Sequence, residues 1–337
     1  MNNKLPTTPT TKVLIIRLSS FGDIVQNLEA AYQMKESFPG AEVQWLTKSN
    51  FAPIVEVCPA VDRVWRFDKS SGLLGYLKFL IQLRRQNFTH VYDAHSNPRS
   101  FLAKLFLAFS RIDHRPKLAT RSKNRLKRFA LFKLRWNFFP QPYYSAQSFV
   151  TPIQKWLKDG SVKTRSLSLP TSEKTPSSPY VLCAPSAAWK NKRWPLSHWK
   201  KLVQINPSIR FVMLGGPEDT FINELYSLAP ERVFNLAGKL SWIESATLVQ
   251  EASAVISNDT GILHVADLIG RPTLALIGPT AFGYPTRPSS KTLEVDLPCK
   301  PCSKDGRDPC TNKVYQKCLV DITPERVSKE LNKILNS

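Results

Sequence analysis

The chain has 337 residues, 42% of them hydrophobic, which is enough for two domains with full cores. No run approaches the ~18 uncharged apolar residues of a membrane span, and the apolar run Val13–Ile16 behind the polar N-terminus is too short for a signal peptide, so a cytoplasmic protein is expected. Lys and Arg total 47 against 26 Asp and Glu, a formal charge of +21; such a surface seeks polyanions, whether nucleic acid, anionic lipid or an acidic substrate.

Strand-like and helix-like segments alternate from the start. Lys12–Ser19, Glu42–Thr47, Arg63–Phe67 and Thr89–Asp93 read as strands, and Asp23–Ser37, Gly72–Arg85 and Pro98–Phe109 as helices. The first strand runs into Ser19-Ser20-Phe21-Gly22 and opens a helix whose inner face carries Ile24, Val25, Leu28 and Ala31. Asp23 stands at that helix start, where the dipole favours its charged form. An ionised carboxylate at the C-terminal end of a strand can take a proton from a substrate hydroxyl. A plain capping aspartate would look the same.

Charge concentrates between Arg111 and Arg135, with ten cations against one acid, Asp113, and with Phe129, Phe132 and Trp136 interleaved or following. An RNA-binding face, a surface resting on anionic headgroups and a solvated helix face all fit this pattern. Just before it, Phe101–Phe109 is strongly apolar around a single Lys104. The alternation then fails at Ser166–Pro179, a linker by its Ser, Thr and Pro content.

It restarts with Tyr180–Ala184, Arg210–Leu214, Val233–Leu236, Ala254–Ser257 and Thr273–Ile277 as strands. The alternation implies an α/β protein with parallel sheets covered by helices, two sheets joined by one linker with a cleft between them. After the first of these strands come Lys190, Lys192 and Arg193, cations that suit a diphosphate or a solvated turn. In Gly215-Gly216-Pro217-Glu218, the acid reads as a ribose-hydroxyl ligand or as the start of the next helix.

The most informative segment is Val255–His264, a buried strand, a polar turn and a helix start. It aims free backbone N–H groups, and the positive end of a helix dipole, at whatever lies outside the strand. Thr260 adds a hydroxyl, Gly261 lets a ligand approach the backbone, and His264 follows one turn on. Neither a GxGxxG nor a Walker loop occurs, so this is an anion site of another kind. An ordinary helix start, capped by Asp259 or Thr260 and with His264 in the core, fits equally well.

Cys299, Cys302, Cys310 and Cys318 are spaced C-x2-C-x7-C-x7-C in a Pro- and Lys-rich loop. They are a candidate structural zinc site, although the spacings are looser than those of common zinc motifs. Cys58 and Cys183 read as core residues. No Asp-x-Asp triplet is present to hold a divalent ion, so no essential metal or cofactor is expected.

Arg17–Asp23, Lys192-Arg193-Trp194-Pro195, Leu214–Glu218, Asn235–Lys239, Ser257–His264 and Gly278-Pro279-Thr280 together resemble the ADP-heptose:lipopolysaccharide heptosyltransferases, glycosyltransferase family nine, over most of the chain. The resemblance implies a GT-B fold of two Rossmann-like domains. An acceptor-binding domain would span 1–165, a linker 166–179 and a donor-binding domain 180–337, with the last helix a candidate to pack back on the first domain. It implies an ADP-heptose donor. The implied acceptor is the Kdo-containing inner core of lipid A at the inner face of the cytoplasmic membrane, met by a peripheral, monomeric enzyme that binds no nucleic acid.

By the same resemblance Asp23 takes the catalytic base position, and Lys192, Glu218, Asp259, Thr260, Gly261 and His264 the donor-binding positions. Arg17, Ser20, Arg121, Lys123 and Arg125 are the acceptor-side candidates. The family has Thr and Pro shortly after its catalytic Asp, where this chain has Asn27-Leu28-Glu29, so acceptor identity is the part that departs.

One carboxylate facing a diphosphate site suits a single displacement with inversion, by analogy with glycosidases. Competing readings are another nucleotide-sugar enzyme of this fold, an epimerase included, and a nucleic-acid-binding protein supported only by the basic cluster. A binding module has no reason to keep a carboxylate facing a diphosphate site.

Overall fold

The computed structural model describes residues 11–68, 70, 72–109, 115–158, 163–174, 176 and 179–336. The polar N-terminal segment before residue 11, the Arg111–Asp113 end of the basic stretch and three linker positions lie outside them. The chain forms two compact units. The first takes in the chain up to Lys123, then 146–162 and 166–168; the second takes 124–145, 163–165 and everything from Leu169 onward.

The first unit alternates β1 (Lys12–Ile16), α1 (Phe21–Ser37), β2 (Glu42–Lys48), α2 (Ala52–Glu56), β3 (Arg63–Phe67), α3 (Gly72–Arg84), β4 (His90–Asp93), α4 (Pro98–Ala108) and β5 (Lys117–Thr120). All five strands pair in parallel in the order β3-β2-β1-β4-β5. Val13 to Ile16 are fully buried. A central strand covered on both faces is apolar at every position, without alternation. Leu80 and Leu83 of α3 and Ala103 and Leu107 of α4 join Leu14, Ile16 and Val91 in the core. β5 escapes a reading by pattern because it is an edge strand with one buried residue, Ala119, inside the basic stretch.

The second unit begins earlier than composition suggests. α5 (Arg125–Phe129) and a π-helical turn over Ala130–Leu134 belong to it, not to the first domain. The reason is aromatic packing: Phe139 and Tyr143 lie 5.1 and 4.9 Å from the Phe282 ring, and Arg128 stands 4.7 Å over that same ring. The chain then returns to the first unit through α6 (Ser145–Val150), which buries Phe149.

After the linker run β6 (Val181–Ala184), α7 (Leu196–Ile205), β7 (Phe211–Met213), α8 (Ile222–Tyr226), β8 (Val233–Asn235), α9 (Trp242–Glu251), β9 (Ala254–Asn258), α10 (Gly261–Ile269), β10 (Thr273–Leu276), β11 (Ser290–Leu293), α11 (Lys317–Val320) and α12 (Pro324–Leu335). The strands form a parallel sheet in the order β11-β10-β9-β6-β7-β8. The last helix, α12, brings an apolar stripe into the second unit's core. Its Val327 and Leu331 join Trp199 and Leu202 of α7 in the second unit's core, because this apolar stripe matches the face that α7 leaves open.

In each sheet the chain winds outward in both directions from one strand. The β1/β4 and β6/β9 boundaries are therefore switch points, and a ligand crevice opens beyond the C-terminal ends of strands at such a boundary. Leu331→Ala empties a fully buried position; it is expected to lower stability by about 2–5 kcal/mol, read as a lower denaturant midpoint.

Candidate active site

At the first switch point Arg17 follows β1 directly and α1 begins with Ser20 as its cap. Asp23, at the third helical position, accepts from the Ser20 hydroxyl at 2.8 Å and from its N–H at 3.4 Å. Arg17 Nη2 stands 2.5 Å from the same Oδ2. Arg17 also donates through Nη1 to the Ala94 carbonyl beyond β4, at 2.6 Å, so one buried guanidinium ties the two sides of the switch point together.

Burial works against the ionised form of Asp23. The charge of Arg17, the hydrogen bond from Ser20 and the charge of Arg121 outweigh it and hold the carboxyl below the usual range. The side chain nevertheless keeps 35% of its surface, so a substrate hydroxyl can reach it. Arg121 stacks 3.9 Å over the Phe149 ring and donates to Ser148 Oγ.

His95, in the turn after β4, was absent from the sequence-based candidates. Burial, then the charges of Arg17 and Lys123, push it down to about 4, so it is neutral near pH 7. Its Nδ1 is buried without a hydrogen-bond partner among the described residues. The signal that could have found it is its place just beyond the strand next to β1.

Arg17, Ser20, Asp23, Arg121 and Lys123 therefore share the first unit, whereas Arg125 is an exposed residue of the second. The departing segment is buried: Asn27, one turn beyond Asp23, is fully covered, and its amide has no hydrogen-bond partner among the described residues. Glu29 is equally covered and accepts from Gln33 Nε2 at 3.0 Å.

At the second switch point β9 ends at Asn258, Asp259 and Thr260 form the turn, and α10 starts at Gly261. Asp259 Oδ2 accepts from Thr280 Oγ1 at 2.7 Å and pairs with Lys192 Nζ at 3.1 Å, while His264 Nε2 lies 4.0 Å from Oδ1. Burial opposes the charge on Asp259, but Lys192, His264 and Thr280 together hold its carboxyl below the usual range. Thr260 caps the helix with its backbone only, so its hydroxyl is not spent on the first turn. The first N–H groups of α10 have no acceptor within the helix, which is the feature helix-start anion sites use.

Three supports of this cluster were not legible in the sequence. Asn258 accepts from Trp194 N at 3.1 Å and donates to the Pro185 carbonyl at 2.9 Å, which fixes the loop that carries Lys192. A Cβ on Gly283 would lie 2.2 Å from Asp259 Cγ, and one on Gly306 would lie 2.4 Å from Lys192 Cγ. Both glycines are needed because charged side chains fill that space.

Glu218 stands apart from the cluster, exposed on the turn after β7. Its neighbour Asp219 holds that turn, accepting from Gly216 N at 2.8 Å and pairing with Arg193 at 3.1 Å.

The cysteine loop supports the same place. Gln316 Nε2 donates to the Lys190 carbonyl at 2.7 Å, and Asn191 Nδ2 donates to that of Asp308 at 2.6 Å. Cys299, Cys302, Cys310 and Cys318 border one small cavity as free thiols. Among the described residues no three His, Cys, Asp or Glu are arranged to hold a metal ion, so the zinc reading finds no support in the geometry.

Each unit is a doubly wound parallel sheet with an aspartate just beyond the strand ends at its switch point, and this is the layout of a GT-B glycosyltransferase. The profile of glycosyltransferase family 9 (heptosyltransferase) matches residues 77–316. The chain is 26% identical to lipooligosaccharide heptosyltransferase 2 of Haemophilus ducreyi, covering 96% of this chain and 99% of that one. It is 25% identical to lipopolysaccharide heptosyltransferase 1 of Pseudomonas aeruginosa, with 96% and 98% covered. The structure of Escherichia coli ADP-heptose lps heptosyltransferase II matches with a TM-score of 0.71 at 20% identity, covering 97% of this chain and 99% of that one. The chain belongs to glycosyltransferase family 9, the heptosyltransferases.

Two outcomes test the site. Arg17→Gln removes the main opponent of burial, so the Asp23 carboxyl titrates at higher pH in a carbon-13 NMR titration. Gly283→Ala drives a methyl into the Asp259 carboxylate and lowers stability by about 1–3 kcal/mol in chemical denaturation.

Proposed function

We propose that this enzyme transfers a heptose from ADP-heptose, with inversion and without a metal, to the Kdo/heptose inner core of lipopolysaccharide. The observation that carries the reading is Asp23, a partly exposed carboxylate kept ionised at the first unit's switch point in a family 9 chain. The names of the relatives, which act on lipopolysaccharide or lipooligosaccharide, support the acceptor class, and the ADP-heptose enzyme among the structural matches supports the donor.

Asp23 accepts the proton of an acceptor hydroxyl as its oxygen bonds to the anomeric carbon and the ADP oxygen departs. A carboxylate paired with Arg17 is a weak base, suited to take that proton late, when the hydroxyl has become acidic. Charge on the leaving diphosphate is met by Lys192 and by the first turn of α10 at Thr260–Gly261, with Asp259 and His264 holding Lys192 and the helix start in place. At ~4 Å and an effective dielectric of 20, one such cation contributes on the order of 4 kcal/mol of Coulomb attraction.

The first unit takes the acceptor, with Arg17, Ser20, Arg121 and Lys123 on its anionic groups, and the second unit takes the donor. Glu218, exposed on the turn after β7, takes a ribose hydroxyl of the donor in this reading. The enzyme works as a monomer at the inner face of the cytoplasmic membrane. No helix among the described residues is long and apolar enough to cross a membrane, and a peripheral enzyme needs none.

Asp23→Asn keeps the side-chain size and an oxygen for Ser20, so the fold survives while kcat falls ~100-fold or more and ADP affinity holds. Because the Asp23 carboxyl is held low, the acid limb of kcat/KM lies below the ordinary carboxylate range. Turnover is read by mass spectrometry with ADP-heptose and a deacylated inner-core acceptor; activity within a few-fold of wild type would return Asp23 to a capping role. Lys192→Ala weakens ADP binding in calorimetry, and chelation with EDTA leaves turnover intact. Strict dependence on Mg²⁺ would overturn the account of the leaving group.

A further inference from the structure

α3 and α4 turn one face each to the sheet and are packed beside each other. Surface helices normally present polar residues on the opposite face. These do not. On α3, Leu74, Leu77 and Ile81, spaced i, i+3 and i+7, are 76, 38 and 45% exposed. On α4 and its C-cap, Phe101, Leu105 and Phe109, spaced i, i+4 and i+8, are 55, 42 and 63% exposed. A contiguous apolar face of this kind marks an interaction surface.

Its charge says what the surface meets. Between Asp68 and Asp113 the chain has seven Lys and Arg and one acid, Asp93, which is buried at 1% exposure. Lys78 follows Leu74 by four residues and Arg85 follows Ile81 by four, so both cations stand exposed on the apolar face itself. Lys104 of α4 lies 5.3 Å over the Phe101 ring. A second copy docking face to face would set cations against cations across a dry contact. Leu and Ile dominate the α3 face, which suits acyl chains better than the base stacking that nucleic acid requires.

We propose that the outer face of α3 and α4 docks this protein on an anionic lipid bilayer, with the leucine and phenylalanine side chains at the acyl boundary and the Lys and Arg heads at the phosphates. Long cationic side chains reach the headgroups while their stems stay in the apolar layer. The inference rests on the glycolipid-acceptor reading and deepens it. It also moves membrane contact away from the basic stretch around Arg121–Arg128, which the fold divides between the two units after Lys123.

The test is flotation of the full chain with vesicles of phosphatidylglycerol and phosphatidylethanolamine, against vesicles of phosphatidylcholine alone. The wild type is expected to float with the anionic vesicles only, and to be released by high salt. Leu74→Gln/Phe101→Gln/Phe109→Gln is expected to lower partition at least tenfold, with melting temperature and ADP affinity unchanged, since all three positions are exposed. Lys78→Gln/Arg85→Gln should lower it several-fold and blunt the salt dependence.

Turnover of a water-soluble deacylated acceptor should stay at the wild-type rate in both variants, while turnover of the same acceptor anchored in vesicles falls. Wild-type flotation by the triple variant would overturn the proposal. So would a concentration-dependent dimer in sedimentation velocity that the triple variant abolishes, or retention of an RNA oligonucleotide that it abolishes. Loss of flotation together with normal turnover of the soluble acceptor would confirm the surface and leave the glycosyl-transfer reading intact. Flotation without turnover of any inner-core acceptor would confirm the surface and overturn that reading.

Discussion

Asp259 brings a negative charge to a place where only 10% of its side chain meets water, and that charge has to be answered from several elements at once. Lys192 answers from the loop after β6, Thr280 from the loop after β10 and His264 from α10. Leaving one partner of a buried pair unmatched costs roughly 3–5 kcal/mol, so the pairing dictates where the β6 loop can run. Asn258 and the cysteine loop then hold that path from either side, through the Pro185 carbonyl, Trp194 and the Lys190–Lys192 turn. Much of the second unit's loop structure serves to keep one cation and one helix start beside a buried carboxylate.

The first unit uses the same elements with a different balance. Arg17 is nearly buried and does the work of a structural bolt, joining the end of β1 to the turn after β4, while its partner Asp23 stays one-third exposed. Asp259 is enclosed among its partners, whereas Asp23 keeps an open side. The two aspartates thus differ in how much of each side chain meets water, 35% against 10%.

The excess positive charge is likewise divided by the fold. Some of it closes ion pairs at the two switch points and some is stacked on aromatic rings, as at Phe149 and Phe282. What remains beside the apolar face of α3 and α4 has a single acid between Asp68 and Asp113, the buried Asp93. Net charge measured on the whole sequence cannot show this partition, because it depends on which cations find partners.

Local pattern was enough for the parallel α/β class, for the buried runs Val13–Ile16 and Ala254–Ser257, and for the strand–turn–helix units that carry Asp23 and Asp259, because burial of a central strand and the start of a helix are written in neighbouring residues. The edge strands β5 and β11 and the return of residues 124–145 to the second unit were not legible, since a short edge buries one residue and Phe139 has meaning only beside Phe282. Chain order likewise left open that Lys192 meets Asp259, that Arg17 reaches Ala94, that Gly283 and Gly306 make room for charged groups, that His95 joins the first site and that Glu218 stays outside the second cluster. Those are contacts between segments far apart in the chain, and only the packing within each unit decided them.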